Sequence, residues 1–186
     1  PRRRELLSRA GFEFDIVPSG KEELITKVLP NEVVCELSYQ KAKDVYNMLS
    51  ADKKDEEKSP DILVIGADTV VVLDDEILGK PHNRKNAFKM LKSLSGKTHS
   101  VVTSIAVINS ETGEYKINST TSYVTFENLS DEKINYYIEN FKPFDKAGSY
   151  GIQEMPEGYI KSYTGDLENI IGISSASLVE ILDSLE

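Results

Sequence analysis

The sequence predicts an α/β protein, because stretches with the apolar spacing of helices occur in the same chain as short runs of β-branched residues typical of strands. With 186 residues, the chain suits a single domain with a sizeable core, or two lobes that share one sheet. Its most apolar stretch, from Ile62 to Leu73, reads as a buried strand that is interrupted by Gly66 and Asp68. A carboxylate in such a place makes Asp68 the first candidate for chemistry.

The chain begins with a predicted helix in which Leu6, Leu7 and Ala10 form the apolar stripe and Gly11 is the stop. Three cations, Arg2, Arg3 and Arg4, stand at its start, where they oppose the helix dipole. An anion such as a phosphate, held by backbone N–H groups and guanidinium groups, would explain this placement. The alternative is a solvated basic terminus.

A strand is predicted at residues 13–17, followed by a loop that carries Glu22 and Glu23. Pro30 and Asn31 then open a helix with apolar residues at Val34, Leu37, Val45 and Met48 or Leu49. Lys41 lies on this same face. Its ammonium group either reaches a negative partner beyond the core or extends into solvent along its aliphatic stem.

Residues 52–58 mix both charges without an apolar residue and indicate an exposed insertion. The buried strand with Asp68 follows, and Asp74-Asp75 predicts a hairpin turn after it. Pairing about that turn would bring Lys80 close to Thr69 and to Asp68. Two alternatives remain open: Asp68 could accept backbone hydrogen bonds at a turn, and Lys80 could be an exposed loop lysine.

The rest of the chain predicts a helix from Asn83 or Arg84 to Leu94, strands at residues 100–108 and 115–125, a helix at 130–139 and a final helix from Ser174 or Ser175 to Leu185. Residues 145–153 place small residues between polar ones, as where a backbone approaches a ligand closely. The Gln153 amide would match the edge of a pyrimidine, although such segments are also ordinary turns.

Composition excludes several classes of function. The net charge of −9 argues against binding a nucleic-acid polymer. No apolar run approaches the roughly 20 residues that span a bilayer, and the first residues lack the apolar segment of a signal peptide. The single cysteine, Cys35, precludes an internal disulfide and fits a reducing compartment. We therefore expect a cytoplasmic protein with no membrane partner.

Six segments, in order along nearly the whole chain, resemble the Maf-like nucleotide pyrophosphatases: Pro1–Leu7, Gly66–Val71, Leu78–Pro81, Gly96–His99, Lys146–Gln153 and Gly165–Gly172. The resemblance implies one domain over residues 1–186, with an extended mixed β-sheet, flanking helices and a deep cleft between two lobes, similar to the ITPase-type pyrophosphatases. It also implies hydrolysis of nucleoside triphosphates to the monophosphate and pyrophosphate with a divalent cation, Mg or Mn. A homodimer is a further implied assembly.

The resemblance implies specific roles. Asp68 matches the family's proton acceptor, and Arg2, Thr69 and Gln153 match positions linked to substrate choice. Active-site positions are also matched by Arg3, Glu23, Lys41 and Lys80. Our hypothesis is that Asp68 polarises the attacking water, holds the cation or does both, and that Glu23 helps to position the cation. The lysines and arginines would neutralise the triphosphate.

Residues 146–153 resemble the dTTP/UTP-specific branch, so the expected substrates are dTTP, UTP and modified pyrimidine triphosphates, in the house-cleaning of nucleotide pools. Two alternatives belong to other classes. One is a nucleotide sensor without catalysis that regulates division, and the other is a pyrophosphatase for 7-methyl-GTP or deaminated purine triphosphates.

Overall fold

The computed structural model of the protein describes residues 1–51 and 62–185. The predicted charged insertion at 52–58 lies outside these residues. The helices are α1 Arg2–Arg9, α2 Pro30–Ala51, α3 Arg84–Leu94, α4 Asp131–Phe141, α5 Leu167–Ile171 and α6 Ser175–Asp183. The strands are β1 Leu63–Leu73, β2 Glu76–Leu78, β3 Thr98–Asn109, β4 Tyr115–Phe126 and β5 Ile160–Thr164.

The five strands form one sheet in the order β2-β1-β3-β4-β5. At both ends of this order the neighbouring strands, β1 with β2 and β4 with β5, run antiparallel. The prediction of an α/β protein with an extended sheet and flanking helices is confirmed. The single domain and the deep cleft between two lobes stay predictions.

The chain divides into two compact units, each with its own core. The first comprises Pro1–Asp68, Thr103–Thr120 and Gly172–Glu186, and the second comprises Thr69–Val102 and Thr121–Ile171. In the first unit, α2 packs on Val64, Ala106 and Ile108 through Ala42 and its partly buried neighbours. The larger core of the second unit includes buried residues of α3 and α4, such as Leu91, Leu94, Ile134 and Tyr137.

Three helices begin where the sequence predicts them, because a polar side chain accepts a hydrogen bond from the first turn. Asn83 Oδ1 accepts from the Asn86 N–H at 3.0 Å. Ser130 Oγ accepts from the Lys133 N–H at 3.3 Å. The Ser174 hydroxyl caps α6 in the same way. The predicted helix starts are therefore confirmed.

The hairpin after β1 is also confirmed. Asp74 and Asp75 have φ values of 51° and 65°, the left-handed conformation that a tight two-residue hairpin turn requires. Pairing places Val71 opposite Leu78. Within the described residues, no helix combines the length and the apolar character needed to cross a membrane.

Two predictions about local structure are wrong. Residues 13–17 form no strand, and Ile16 and Val17 are 57% and 44% exposed, so their alternating pattern has no core to face. The first part of β1 is not fully buried either, because Leu63 and Ile65 are exposed while Val64 is buried. Successive side chains of a strand point to opposite faces, and only the face of Val64 packs under α2 here.

Candidate active site

The site begins with a close approach of α2 to β1 at Gly66. A Cβ atom at this residue would lie 2.3 Å from the backbone oxygen of Ser38 and 2.6 Å from the backbone nitrogen of Ala42. Only glycine leaves room for the helix at that distance. Since alternate residues of a strand share a face, Asp68 presents its side chain on the side of the sheet that α2 covers.

Lys41, next to Ala42 on α2, reaches that carboxylate. Its ammonium group donates a hydrogen bond to Asp68 Oδ1 and lies 3.0 Å from Glu23 Oε1. The Asp68 side chain is 14% exposed and that of Lys41 is 25% exposed, so the pair is only partly accessible to water. The structure therefore brings together three predicted site residues that are far apart in the sequence, two carboxylates around one ammonium group.

Arg3 lies in the field of the same carboxylate. Burial lowers the pKa of Arg3. The negative charge of Asp68 opposes this shift, and the positive charge of Arg2 adds to it. The Arg3 Nε also donates a hydrogen bond to the backbone oxygen of Gly172 at 2.9 Å. This bond fixes the guanidinium group, so Arg3 is a positioned cation near Asp68.

The start of α1 agrees with the predicted anion site in one respect. The helix begins at Arg2, as predicted, and its cap residue, Pro1, makes no side-chain hydrogen bond to the first turn. Arg2 and Arg3 are half-buried. The anion site at this helix start and the role of Arg2 in substrate choice stay predictions.

A cavity of about 190 Å³ lies beside this cluster, within the first unit. One wall is the exposed loop that carries Glu22 and Glu23, and the other is the face of α2 that includes Tyr39 and Lys41. The lining mixes both signs of charge. It is an open cavity, and its lining includes the Glu23 carboxylate and the Lys41 ammonium group.

The other predicted site residues belong to the second unit. Thr69 follows Asp68 on β1 and is half-buried, whereas Lys80 is exposed. Val71 pairs with Leu78 in antiparallel register. Lys80 follows Leu78 by two residues and Thr69 precedes Val71 by two, so continuing the register places Lys80 opposite Thr69. This agrees with the predicted proximity of Thr69 and Lys80, and leaves Lys80 accessible to a ligand.

Gln153 lies in a short 3₁₀ helix, Ile152–Glu154. The segment before it is fixed to the Lys80 loop, because the N–H of Gly148 donates to the backbone oxygen of Gly79 at 3.1 Å. Gly148 has a φ of +64°, and a Cβ there would lie 2.9 Å from Val71. The close backbone approach predicted for this segment is therefore made to β1, while Gln153 itself is exposed.

Two buried titratable groups, Lys146 and His99, contact residues of the segment 145–154. Lys146 has a side chain only 8% exposed, and its ammonium group lies 2.9 Å from Asp145 and 3.1 Å from Glu154. His99 is buried, and its Nε2 lies 2.7 Å from the Tyr150 hydroxyl. Burial lowers the pKa of His99 to about 4. The acidic neighbours of Lys146 were visible in the sequence, but nothing there indicated that this lysine is buried.

The residues present fit a divalent cation that is bound by few protein ligands. Among residues 1–51 and 62–185, no three His, Cys, Asp or Glu side chains gather in a group that could hold a metal ion. Mg²⁺, however, is usually bound by one or two carboxylates together with waters and substrate phosphates. Asp68 and Glu23, which both contact Lys41, are two carboxylates that could supply oxygen donors to such a sparse site.

A family model and individual known proteins match nearly the whole chain. The family described as "Maf-like protein" matches residues 1–185. A dTTP/UTP pyrophosphatase of Agathobacter rectalis is 44% identical over 192 aligned residues, covering 100% of this chain and 93% of that protein. Proteins of the same name from Alkaliphilus oremlandii and Thermotoga maritima are each 44% identical, covering 98% and 92% of this chain and 90% and 79% of their own lengths.

Proposed function

The chain belongs to the Maf-like protein family, and from this premise we propose that it hydrolyses nucleoside triphosphates to the monophosphate and pyrophosphate. dTTP, UTP and modified pyrimidine analogues are the proposed substrates, because several similar proteins bear the name dTTP/UTP pyrophosphatase. Those names do not favour the alternatives of a sensor without catalysis or of a purine-directed enzyme. The observation that carries the proposal is the Lys41 ammonium group between Asp68 and Glu23.

Asp68 is the proposed general base. A water oxygen attacks the α-phosphorus, the bond from that phosphorus to the bridging oxygen breaks, and pyrophosphate leaves with the bridging oxygen. Asp68 accepts the proton that the water loses. Lys41 donates a hydrogen bond to Asp68, so it orients the carboxylate.

Charge on the phosphate oxygens must be offset in the transition state. We assign this role to Lys41, Lys80, Arg2 and Arg3. Asp68 and Glu23 are the residues that would hold Mg²⁺ or Mn²⁺, and the bound cation would supply further neutralisation of the triphosphate. The fixed position of Arg3 on the Gly172 oxygen supports its part, since a held guanidinium group loses little entropy when it binds phosphate.

Base selection is assigned to Thr69 and Gln153. The Gln153 amide is exposed and offers one donor and one acceptor group, which matches the edge of a pyrimidine. The close packing of Gly148 on Val71 supports the assignment, because it fixes the segment that carries Gln153 on the strand that carries Thr69.

The test is pyrophosphate release from dTTP, UTP, 7-methyl-GTP and ITP in parallel, with Mg²⁺ or Mn²⁺. The expected result is preference for the two pyrimidine nucleotides, and a loss on the order of 10²- to 10⁴-fold in Asp68→Asn. Glu32→Gln is the control, since Glu32 is an exposed carboxylate on the same helix as Lys41. Preference for the methylated purine, or full turnover in Asp68→Asn, would overturn the proposal.

We also propose a cytoplasmic location and a homodimer. The single free cysteine, Cys35, supports a reducing compartment, and the family resemblance supports the dimer. Light scattering of the purified protein would show a mass of twice 20.8 kDa if the dimer forms.

A further inference from the structure

An exposed stretch of chain, residues 19–26, runs beside α2 without the support of a core. We call it the strap. Every residue of the strap is exposed, and its apolar side chains Leu24 and Ile25 are 66% and 56% exposed. Apolar burial therefore cannot fix it. Yet the strap carries Glu23, one of the carboxylates at Lys41.

Polar side chains of α2 bind the strap backbone instead. Glu36, Gln40 and Asp44 are each four residues apart and share one face of the helix. We call them the polar stripe. Asp44 Oδ2 accepts hydrogen bonds from the Ser19 hydroxyl at 3.0 Å and from the Gly20 N–H at 2.9 Å. These bonds fix the first end of the strap.

The middle and the far end are bound in the same way. Gln40 accepts from the Leu24 N–H at 3.0 Å and donates to the Leu24 oxygen at 2.6 Å, so its amide takes the place of a neighbouring strand. Glu36 Oε2 accepts from the Thr26 N–H at 2.9 Å, and its other oxygen accepts from the Thr26 hydroxyl. The contacts run antiparallel to the helix, from Asp44 to Glu36.

Both acids of the polar stripe are held in their ionised form. The Thr26 hydroxyl and N–H lower the pKa of Glu36. Burial alone would raise the pKa of Asp44, but the N–H of Gly20 and the hydroxyl of Ser19 outweigh it and the net shift is downward. Ionised carboxylates make the stronger hydrogen bonds to N–H groups, so these contacts persist at neutral pH.

Glu23 lies immediately before Leu24 in the strap, and Lys41 immediately after Gln40 on α2. The paired amide of Gln40 therefore sets the register in which Glu23 meets Lys41 at 3.0 Å. We infer that Glu36, Gln40 and Asp44 are positioning residues that fix Glu23 at the proposed metal and substrate site. The inference rests on the proposed function for the role of Glu23, but the contacts of the strap do not depend on it.

The test compares Gln40→Ala and Glu36→Ala with Glu32→Ala. Glu32 is an exposed acid one turn before Glu36 on the same helix, and no hydrogen bond of its side chain is found among the described residues. Glu32→Ala is thus the matched control, because it truncates an acid of the same helix without removing a contact of the strap. Melting curves of all three variants check that each is folded, and the two stripe variants release different strap residues, so the failure of one to fold leaves the other as the test.

The first measurement is hydrogen exchange of the Leu24 and Thr26 amides by NMR, with no metal and no nucleotide. The expected result is exchange about fivefold faster or more at Leu24 in Gln40→Ala and at Thr26 in Glu36→Ala. The second is Mn²⁺ binding to the protein followed by electron paramagnetic resonance. Affinity should fall about tenfold or more in both stripe variants, as for residues that orient a metal ligand.

The third measurement is the cation dependence of pyrophosphate release. The stripe variants should need more Mn²⁺ for half-maximal rate but approach the wild-type kcat at saturating Mn²⁺, a split that a general loss of folded protein would not give. Unchanged amide exchange, or faster exchange with unchanged Mn²⁺ affinity, would overturn the inference. A wild-type protein that releases no pyrophosphate would refute the proposed function, while exchange and Mn²⁺ binding would still decide the role of the polar stripe.

Discussion

Replacing Gly66 with alanine tests whether the close packing of α2 on β1 sets the contact between Lys41 and Asp68. The added Cβ would lie 2.3 Å from the Ser38 oxygen, whereas ordinary contacts begin at 3.4 Å, so the two backbones must separate by the difference of about 1.1 Å. Neither of these two nearest atoms is a flexible side-chain end. The Ser38 oxygen and the Ala42 nitrogen are backbone atoms within α2, so the helix has to move as a unit.

The expected loss of stability follows from overpacking, which typically costs about 1–3 kcal/mol. For a chain of this size each kcal/mol lowers the melting temperature by roughly 2–4 °C, so we expect a fall of about 2–12 °C with the fold retained. The expected loss of activity is larger. A displacement near 1 Å at the reacting groups can cost about 10²-fold in turnover, and Lys41 moves with the helix.

The assay pairs calorimetric melting with pyrophosphate release from dTTP, measured well below the melting temperature. Gly20→Ala is the matched control, because a Cβ at Gly20 meets no atom within 4 Å and alanine keeps the backbone N–H that binds Asp44. Wild-type melting together with wild-type kcat/KM in Gly66→Ala would refute the reasoning, since the helix would then not depend on that contact.

Two further predictions concern titratable side chains. Burial lowers the pKa of His99 to about 4, below its value near 6.5 in the unfolded chain. The contribution of neutral His99 to the free energy of unfolding is therefore complete above pH 6.5 and is lost as the pH falls towards 4. The loss is about 2 kcal/mol at pH 5. Urea unfolding at pH 7 and pH 5 measures this loss, and His99→Asn should show a much smaller difference in unfolding free energy between the two pH values. An equal difference in the variant would assign the effect to other groups. Lys41→Met should leave Asp68 and Glu23 without their shared cation and lower turnover on the order of 10²-fold with the fold retained. Turnover equal to that of the wild type would contradict the role of Lys41.

Much of the scaffold could be predicted because its signals are local. The caps at Asn83, Ser130 and Ser174 each act within three residues of the helix start, and the Asp74-Asp75 turn is fixed by two adjacent residues. Residues 13–17 show the limit of such signals. Their alternation is typical of a strand, but a strand also needs a partner and a core, and here neither is provided by neighbouring sequence.

The candidate site was predictable in part for a similar reason. The position of Lys41 on the apolar face of α2 predicted that it reaches past the core, and Asp68 was singled out by its apolar surroundings. Their contact depends on Gly66 facing two backbone atoms of α2, a pairing across the chain that no single segment reveals. The four-residue spacing of Glu36, Gln40 and Asp44 was visible as well, but their partners are backbone groups, which every residue carries.

The two contacts of Lys41 are maintained by different forces, and this difference bears on how the site can work. Asp68 is held by the close packing of α2 on β1, which resists displacement because packed backbones have no room to adapt. The strap that carries Glu23 is held by hydrogen bonds at an exposed surface, where each bond contributes about 1 kcal/mol. Local opening of the strap therefore costs far less than opening of the core. We therefore expect displacement of Glu23 to need less free energy than displacement of Asp68.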